Sequence, residues 1–317
     1  MKLFIQIPCL NEEKTLPEVF RDLPKKINGI SNIEVLIIDD GSTDDTVKVA
    51  GELGIKHILK LGTNRGLAFA FNSGINYCLE HGADIIVNTD GDNQYFGGDI
   101  DKLVQPIIED RAEIVVGSRP ILKHKEFTPA KKLFQLLGSM TLRKISKTNI
   151  KDAPSGFRAM SRRACMKLYV HSRFSYTMET LIQAGNSNMR VVSVDVRVNP
   201  KTRDSRLFRN SFEHIRKSGA TIMNMFILYR PGRFFALIGS LFLLPALFLG
   251  LRFIYLVFII PNPDQERTYL PSLILLAIFA FIGIFSFFLG IIGELIKQQR
   301  KLMEEINKNL KEVKYNK

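Results

Sequence analysis

The sequence predicts an α/β protein with a mostly parallel sheet, joined to a C-terminal pair of transmembrane helices. Across roughly the first 230 residues, short apolar runs alternate with helical patterns through short connections, which is typical of a parallel sheet. From residue 234 to residue 296 the chain is almost entirely apolar, apart from one short polar loop. The 317-residue chain therefore combines a soluble-type domain with a membrane segment.

Five apolar runs are predicted to be strands of the sheet. Helical spacing of apolar residues fills the intervals after the first three of them. In the third interval, small residues at Gly66, Ala70 and Gly74 predict a helix that lies close to the sheet. In chain order, the predicted strands are "KLFIQIP", "IEVLIIDD", "IKHILKL", "DIIVNTD" and "AEIVVGSR".

Two apolar segments are long enough to cross a membrane. Residues 234–260 are a run of 27 whose only charge is Arg252, and residues 270–293 are a run of 24 without a charge. A helix rises 1.5 Å per residue, so each run spans about 36–40 Å and exceeds a hydrocarbon core of ~30 Å. We expect Arg252 to extend toward the nearer interface; contact with a lipid phosphate or a partner helix is the alternative.

Basic residues predict how the chain lies in the membrane. The net charge is +13, and between Lys201 and Arg233 eight Lys or Arg residues face only two acids. This distribution favours an anionic membrane surface, and no recognition motif supports nucleic acid as a partner. Because basic residues flank the spans on the side of both termini, we expect a multi-pass protein of the cytoplasmic (plasma) membrane with both termini in the cytoplasm.

The three cysteines do not form a recognisable framework. Cys9, Cys78 and Cys165 lie far apart in the sequence, which argues against disulfides or a zinc site. Cys9 and Cys78 fall within apolar patterns and are predicted to be buried thiols in a reducing compartment. The chain starts directly with a strand-like run, so we expect no signal peptide.

Polar side chains follow four of the predicted strands. In open α/β sheets, ligands bind at the carboxyl ends of the strands, so groups at several ends converge on one edge. The sequence therefore predicts a binding site there. The four sets are Asn11 with Glu12, Asp39 with Asp40, Asp90 with Asp92, and Ser118 with Arg119.

The segment "NTDGDNQY" is the strongest candidate for a metal site. Asp90, Asp92 and Gln94 alternate, and alternate residues of an extended segment point the same way. Three such oxygen donors suit Mg²⁺ or Mn²⁺, whose remaining ligands would be phosphate oxygens and water. A polar turn after the strand is the alternative.

Asp39 and Asp40 end the second predicted strand in "IIDDGSTDDT". They are predicted either to cap and shape a turn or to accept hydrogen bonds from a ribose or a base. The loop after the first strand, "IPCLNEEKTL", lacks the glycine patterns of dinucleotide and P-loop sites. A bound diphosphate would therefore have to be neutralised by a metal and arginines.

As a set, these motifs resemble one enzyme family. "IPCLNEE", "IIDDGSTDDT", "NTDGDNQ", "VVGSR" and "DAPSGFR" occur in this order at spacings similar to those of family-2 glycosyltransferases with a GT-A fold. The chain looks most like the polyprenyl-phosphate glycosyltransferases, which include dolichol-phosphate mannose synthases. The resemblance covers roughly residues 1–207, and the C-terminal hairpin resembles that of the membrane-anchored members.

The resemblance implies roles for individual positions. The family places its metal and donor diphosphate at the positions of Asp90, Asp92 and Gln94. Asp92, Asp152, Arg119 and Arg203 are implied to act in catalysis, and Arg203 and Arg206 to contact the acceptor phosphate. The implied nucleotide-binding positions are Pro8, Asn11, Glu12, Asp39, Asp40, Ser42 and Asp90.

Several features qualify these roles. Many relatives have Pro and Ala where this chain has Ala153 and Gly91, so the donor is harder to infer. The chain contains no tryptophan and hence no Q-x-x-R-W motif, so we expect no polymer synthesis. Glu179 competes with Asp152 for an acid–base role, although an exposed helix acid is the favoured interpretation of Glu179.

The expected domains follow from these patterns. The residues between Phe127 and Lys147 form an amphipathic pattern that fits either a solvated helix or one lying on the membrane. The charged tail suggests an oligomer contact, and we expect a homo-oligomer. The predicted segments are a GT-A catalytic domain over 1–207, a basic juxtamembrane segment over 208–233, two transmembrane helices within 234–296 (about 234–260 and 270–296), and a charged cytoplasmic helical tail over 297–317.

The expected activity is inverting, metal-dependent transfer of one hexose from a nucleotide sugar to undecaprenyl or dolichyl phosphate at the cytoplasmic face. The acceptor already carries a negative charge, so a strong general base is not required. The alternatives are a membrane-anchored transferase acting on a glycolipid or a protein, and a non-catalytic membrane scaffold. The motifs leave open the sugar (glucose, N-acetylglucosamine or mannose), the UDP or GDP carrier and the length of the lipid.

Overall fold

The structure is a computed structural model that describes residues 1–120, 143, 150–170, 176–200, 223–224, 226–259 and 269–315. The chain divides into two compact units. The first contains Met1–Gly219 together with Glu304–Lys317, and the second contains Ala220–Met303.

A mixed sheet forms the centre of the first unit. In the described part of the chain its seven strands pair in the order β3-β2-β1-β4-β6-β5-β7. Only β6 runs antiparallel to its neighbours, so the predicted α/β fold with a mostly parallel sheet is confirmed. The strands are β1 (Lys2–Cys9), β2 (Asn32–Asp39), β3 (His57–Lys60), β4 (Ile85–Asn88), β5 (Ile114–Ser118), β6 (Arg158–Ser161) and β7 (Val191–Asp195).

Helices connect the strands of this unit. At Gly74, an added Cβ would lie 2.3 Å from Ile38 Cδ1 and 2.5 Å from Gln6 Oε1. The helix that contains Gly74 therefore packs closely on the sheet, as its small residues predict. The helices are α1 (Leu16–Asp22), α2 (Thr46–Glu52), α3 (Leu67–Glu80), α4 (Ile100–Ile108, preceded by a 3₁₀ turn at Gly97–Asp99), α5 (Arg162–Lys167) and α6 (Tyr176–Asn186).

The strand order places a switch point at one edge of the sheet. Because β1 lies between β2 and β4, the strand order changes direction there, and such switch points are where α/β sheets bind ligands. The register sets Cys9 beside Asp39 and Gln6 beside Asn88. The residues that follow β1, β2 and β4 therefore emerge side by side.

The antiparallel strand β6 was not predicted from the sequence. Its register sets Arg158 opposite both Asn88 of β4 and Val116 of β5. Since β6 runs against its neighbours, its first residue lies at their carboxyl ends. The preceding segment, 152–156, is thereby brought to the same edge as the loops after β1, β4 and β5.

The second unit contains two long apolar helices. Helix α7 (Pro231–Ile254) continues as a π-helical turn at Tyr255–Ile259, and α8 spans Leu270–Tyr315, of which residues 270–303 belong to this unit. Their mean hydropathies reach 2.4 and 2.8, and only 11% and 17% of their most apolar windows are buried. Core helices of soluble proteins are mostly buried, so both helices are candidate membrane spans.

Glycines bring the two apolar helices together within this unit. A Cβ at Gly239 would lie 2.6 Å from the Phe287 ring, and one at Gly283 would lie 2.5 Å from Leu243 Cγ. Small residues at such positions let helix backbones approach closely in a membrane. The exposed side chain of Arg252 lies on α7.

Some sequence-based expectations concern residues outside the described ranges. They include the amphipathic pattern at 127–147, of which only residue 143 is described, and most of the basic segment at 201–222. Most of the polar loop between the apolar helices, 260–268, also lies outside them.

Candidate active site

The segment after β4 forms a polar turn at the sheet edge. Asn93 adopts a left-handed conformation with φ 55°, and Asp92 Oδ1 accepts a hydrogen bond from the Gln94 N–H at 3.1 Å. The expected extended conformation is therefore wrong, because the backbone turns to satisfy its own amide. Burial nevertheless alternates: Asp90, Asp92 and Gln94 are half-buried, whereas Gly91, Asn93 and Tyr95 are buried.

The carboxylates of Asp90 and Asp92 are close enough to affect each other. Burial, together with the charge of Asp92, raises the pKa of Asp90 to about 7. A Cβ added to Gly156 would lie 3.0 Å from Asp90 Oδ1 and 3.1 Å from Oδ2. Asp90 is therefore held between its own strand end and the segment before β6, and only a residue without a side chain fits there.

Asp152 and Arg119, two of the implied catalytic residues, form an ion pair. Asp152 is fully buried, and its Oδ2 accepts hydrogen bonds from Arg119 Nε at 2.7 Å and Arg119 N at 3.2 Å. Arg119 Nη2 donates to Oδ1 at 3.1 Å, which makes the pair bidentate. The Arg119 side chain is 11% exposed, and its guanidinium lies 5.8 Å from the Tyr95 ring centre.

Arg158 fixes the segment that carries Asp152. Its fully buried guanidinium donates to the carbonyl oxygens of Ala153 at 2.7 Å, Ser155 at 2.8 Å and Thr177 at 2.6 Å. A fourth hydrogen bond reaches Thr180 Oγ1 at 2.7 Å, and burial lowers the pKa of Arg158 to about 10. This role was not predicted from the sequence. The signal was the arginine in "DAPSGFR", directly after an apolar residue.

A buried polar network supports the same segment from the sheet. Asn88 Nδ2 donates to the Gly156 carbonyl at 3.0 Å and to Tyr176 Oη at 2.9 Å. Gln6 Nε2 donates to Asn88 Oδ1 at 2.9 Å, and the Gly156 N–H donates to Tyr95 Oη at 3.3 Å. These bonds hold residues of β1, β4, α6 and the segment 152–156 in one arrangement beneath Asp90.

The acids after β2 make local hydrogen bonds to the backbone. Asp39 Oδ1 accepts the Ser42 N–H at 3.0 Å, which closes a turn. Asp40 accepts the N–H groups of Arg65 at 2.8 Å and Gly66 at 2.9 Å, at the start of α3. Both side chains are 5% exposed. Their carboxylates therefore shape the loops after β2 and β3.

The loops after β1 and β2 are held together by reciprocal hydrogen bonds. The Asn11 N–H donates to Ser42 Oγ at 3.0 Å, and Asn11 Oδ1 accepts the Thr43 N–H at 2.7 Å. The Glu12 N–H donates to Thr46 Oγ1 at 2.8 Å. Asn11 has a left-handed φ of 57°, which asparagine tolerates better than most residues. Four of the implied nucleotide-binding residues thus form one compact cluster: Asn11, Glu12, Asp39 and Ser42.

Pro8 belongs to the same cluster through the backbone. It is buried in β1 opposite Ile38, and a Cβ on Gly91 would lie 3.3 Å from its carbonyl oxygen. The glycine between Asp90 and Asp92 therefore allows the β4 turn to approach β1. The adjacent thiol of Cys9 is buried, as are those of Cys78 and Cys165, and burial raises the pKa of Cys9.

One expectation about this site is wrong, and two of the implied site residues lie outside the described part of the chain. Glu179 was expected to be an exposed helix acid, but it is 1% exposed because α6 packs against α3 and the segment before β6. Arg203 and Arg206 lie outside the described residues.

Asp90, Asp92 and Gln94 supply only some of the oxygen ligands that a hard divalent cation needs. Within the described ranges, no group of three or more His, Cys, Asp or Glu side chains is placed to hold a metal. Asp90, Asp92 and Gln94 offer two carboxylates and an amide, which leaves further positions for ligand oxygens. Burial and the neighbouring charge of Asp92 raise the pKa of Asp90, and a bound cation would favour its charged form. These residues therefore fit Mg²⁺ or Mn²⁺ held jointly with a diphosphate.

The chain is similar to known sugar transferases. It is 33% identical over 221 residues to the UDP-N-acetylglucosamine–dolichyl-phosphate N-acetylglucosaminyltransferase of Methanococcus voltae, covering 62% of this chain and 84% of that protein. It is 28% identical over 226 residues to the dolichol-phosphate mannosyltransferase of Pyrococcus furiosus, covering 68% of this chain and 62% of that protein.

The fold also has relatives among solved structures. Glucosyl-3-phosphoglycerate synthase of Mycobacterium tuberculosis, solved with Mn²⁺ and UDP, superposes with a TM-score of 0.54 at 16% identity, covering 71% of this chain and 78% of that one. This likeness supports the GT-A fold. The profile of the family described as "Glycosyl transferase family 2" matches residues 4–169, more than half of the chain. The protein is therefore a family 2 glycosyltransferase, related to enzymes that transfer sugars to dolichyl phosphate.

Proposed function

We propose that this enzyme transfers one hexose from a nucleotide sugar to a polyprenyl phosphate at the cytoplasmic face of the membrane, with inversion at the anomeric carbon. The main support is that Asp90, Asp92, Arg119 and Asp152 meet at one edge of a sheet whose chain also carries two apolar helices. The relatives from Methanococcus voltae and Pyrococcus furiosus, by their names, act on dolichyl phosphate.

In this proposal, Asp90, Asp92 and Gln94 hold Mg²⁺ or Mn²⁺ together with the donor diphosphate. The metal would stabilise the negative charge that develops on the leaving nucleoside diphosphate. Asn11, Glu12, Ser42 and the backbone of Pro8 would line the nucleoside side, because their loops are already locked together. Asp39 and Asp40 would act there by shaping those loops rather than through direct contact.

Arg119 and Asp152 form the other half of the proposed site. Arg119 Nε and Nη2 are engaged by Asp152, which leaves Nη1 as the nitrogen best able to meet a phosphate oxygen. Asp152 would then position the guanidinium, and its burial in an ion pair argues against a role as general base. A lipid phosphate is already anionic and needs no strong base to attack.

The membrane segment would hold the acceptor. We propose that residues 1–207 form the catalytic domain and that residues 208–233, with Arg203 and Arg206, supply basic groups near the acceptor phosphate. The two helices within 234–296 would keep the polyprenyl chain in the bilayer, and the charged tail at 297–317 would lie in the cytoplasm. This topology follows from the positive-inside rule.

A transfer assay with the full-length purified protein tests the proposal. UDP-glucose, UDP-N-acetylglucosamine and GDP-mannose, each radiolabelled in the sugar, are supplied with undecaprenyl or dolichyl phosphate as sole acceptor and with Mg²⁺ or Mn²⁺. We expect one donor to give a labelled lipid. Asp92→Ala should lower the rate by about 10²–10³-fold, the cost of losing one group that stabilises transition-state charge.

A matched variant separates this effect from damage to the fold. Asp195, at the end of β7, has a side chain that is 78% exposed, and Asp195→Ala should retain nearly full activity. Full activity in Asp92→Ala would disprove the metal role. A donor that is consumed without labelling the lipid would instead favour a glycolipid or protein acceptor, and no turnover of any donor would favour a scaffold.

A further inference from the structure

The segment that follows β7 pairs with the turn after β4. We call residues 196–200 the β7 extension. The Asn199 N–H donates to the Gln94 carbonyl at 2.9 Å, and the Phe96 N–H donates to the Arg197 carbonyl at 3.4 Å. Strand β7 lies at the edge of the described sheet, with β5 and β6 between it and β4. The extension therefore brings a distant part of the chain to the β4 turn.

The side chain of Asn199 contacts one residue of this turn. Its Nδ2 donates to Asn93 O at 3.1 Å and to Asn93 Oδ1 at 3.2 Å. From another side, Asn93 Nδ2 donates to Glu18 Oε2 of α1 at 3.3 Å. Asn93 is 6% exposed and has the left-handed φ of 55°. Side chains of two other segments therefore hold Asn93 in a conformation that most residues disfavour.

Asn93 stands between two of the proposed metal ligands, Asp92 and Gln94. Its backbone dihedral angles set the direction of Gln94 relative to Asp92, because the two residues flank it. The hydrogen bond from the Gln94 N–H to Asp92 Oδ1 belongs to this same turn. Mg²⁺ demands near-ideal ligand geometry, and hydrogen bonds behind metal ligands orient them. The contact from Asn199 therefore bears on how the two ligands are placed.

A separate ion pair anchors the β7 extension beside the turn. Asp99 is fully buried, and it accepts hydrogen bonds from Arg197 N at 2.6 Å, Nε at 3.1 Å and Nη2 at 2.7 Å. Next to this pair, Tyr95 and Val198 form an antiparallel bridge. Because these contacts fix the extension, we expect it to stay in place without the Asn199 side chain. The role of that side chain can therefore be tested apart from the pairing of the two segments.

We propose that Asn199 is a positioning residue for the metal ligands. Its amide fixes the conformation of Asn93, and that conformation directs Asp92 and Gln94 at one divalent cation. Asn199 lies 106 residues beyond Asn93 in the chain, so the contact exists only in the folded enzyme. This inference rests on the proposed metal role of Asp92 and Gln94.

Mn²⁺ binding by the full-length protein in the presence of UDP or GDP tests the inference. Free Mn²⁺ is measured by electron paramagnetic resonance, with a protein-free sample as the reference. Asn199→Ala should weaken Mn²⁺ binding by about 10–100-fold, the usual effect of removing a group that orients a metal ligand.

The matched control is Asn72→Ala. Asn72 is also half-buried, and its amide also joins two segments, since Nδ2 donates to Val170 O at 2.7 Å and Oδ1 accepts the Val170 N–H at 3.3 Å. Asn72→Ala should leave Mn²⁺ binding within about threefold of the native value, because its hydrogen bonds support α3 rather than a metal ligand.

Hydrogen exchange of the metal-free protein shows whether Asn199 acts through the turn. Asn199→Ala should speed exchange in the peptide that contains the Gln94 and Phe96 amides, because the turn opens more often. Asn72→Ala should speed exchange near Val170 and leave that peptide unchanged.

The two measurements separate failure of the inference from failure of the proposed function. Native Mn²⁺ affinity in Asn199→Ala would overturn the inference and leave the proposed function intact, even if exchange in the turn were faster. Weaker binding without faster exchange would also overturn it, as would an equal loss of affinity in Asn72→Ala. If the native protein bound no Mn²⁺ with either nucleotide, the metal role of Asp92 and Gln94 would fail, and the inference with it.

Discussion

Two strand ends carry similar acid pairs, but their surroundings differ. After β2, Asp39 and Asp40 bond to backbone amides within their own and the next loop, and both are 5% exposed. After β4, Asp90 and Asp92 stay half-buried, and burial together with the charge of Asp92 raises the pKa of Asp90. The first pair shapes the loops, and we propose that the second pair binds a ligand.

This difference arises from the groups that other segments of the same chain bring to each acid pair. The loop after β3 brings the amides of Arg65 and Gly66 to Asp40, so its charge is satisfied by the fold. The segment before β6 brings Gly156 against Asp90, which adds no donor side chain. Two carboxylates this close repel each other, and a cation bound by both would offset that repulsion. We therefore propose different roles for these two similar motifs.

We expect the largest loss of stability from removing the ion pair between Asp152 and Arg119, which lies near Asp90. Asp152→Ala leaves Arg119 without its buried carboxylate, and breaking a buried pair in this way costs about 3–5 kcal/mol of unfolding free energy. Denaturant unfolding measures the loss. The double variant Asp152→Ala with Arg119→Met should be less destabilised than the sum of the single variants. An additive result would contradict the coupling.

A smaller loss of stability is expected at the β2 end. Asp40→Ala removes the acceptor of two backbone amides and should lower the unfolding free energy by about 1–3 kcal/mol. Asp40→Asn retains one acceptor oxygen and should lose less. If Asp40 instead served only the substrate, Asp40→Ala would unfold like the native protein while the KM for the donor rose.

Gly156→Ala tests the packing around Asp90 by adding a single methyl group. The added methyl would lie 2.7 Å from Tyr176 Oη and 3.0 Å from Asp90 Oδ1, so both must shift, at a cost of about 1–3 kcal/mol. The rate of metal-dependent sugar transfer should also fall. Gly51→Ala in α2 is the matched control, because a Cβ there meets nothing within 4 Å and should be neutral or stabilising. Equal effects of the two variants would contradict the close fit.

The sequence predicts the parallel strands and their polar ends well, because period and burial determine them locally. Gly74 illustrates this, since its small size implies a close approach that the structure confirms. The antiparallel β6 escaped prediction, because four residues of "RAMS" carry no periodic signal. Arg158 and Glu179 are buried only through tertiary contacts. The charge of Glu179 therefore led to a prediction of exposure, and no role was predicted for Arg158.

The candidate site, like the fold, could be predicted only in part from the sequence. The sequence identified the residues of the β4 turn, but it did not distinguish them from the similar acids after β2. Hydrogen bonds from Arg65 and Gly66, which lie 25 and 26 residues further along the chain, make that distinction. Such pairings depend on how loops meet at the sheet edge, which no local pattern encodes.

Binding of Mn²⁺ in the presence of UDP or GDP distinguishes the roles of the two acid pairs. Free Mn²⁺ is measured by electron paramagnetic resonance with the full-length protein and with the Asp92→Ala and Asp40→Ala variants. We expect Asp92→Ala to weaken Mn²⁺ binding by at least about tenfold, whereas Asp40→Ala should leave it within about threefold of the native value. Native affinity in Asp92→Ala, or an equal loss in both variants, would contradict this expectation.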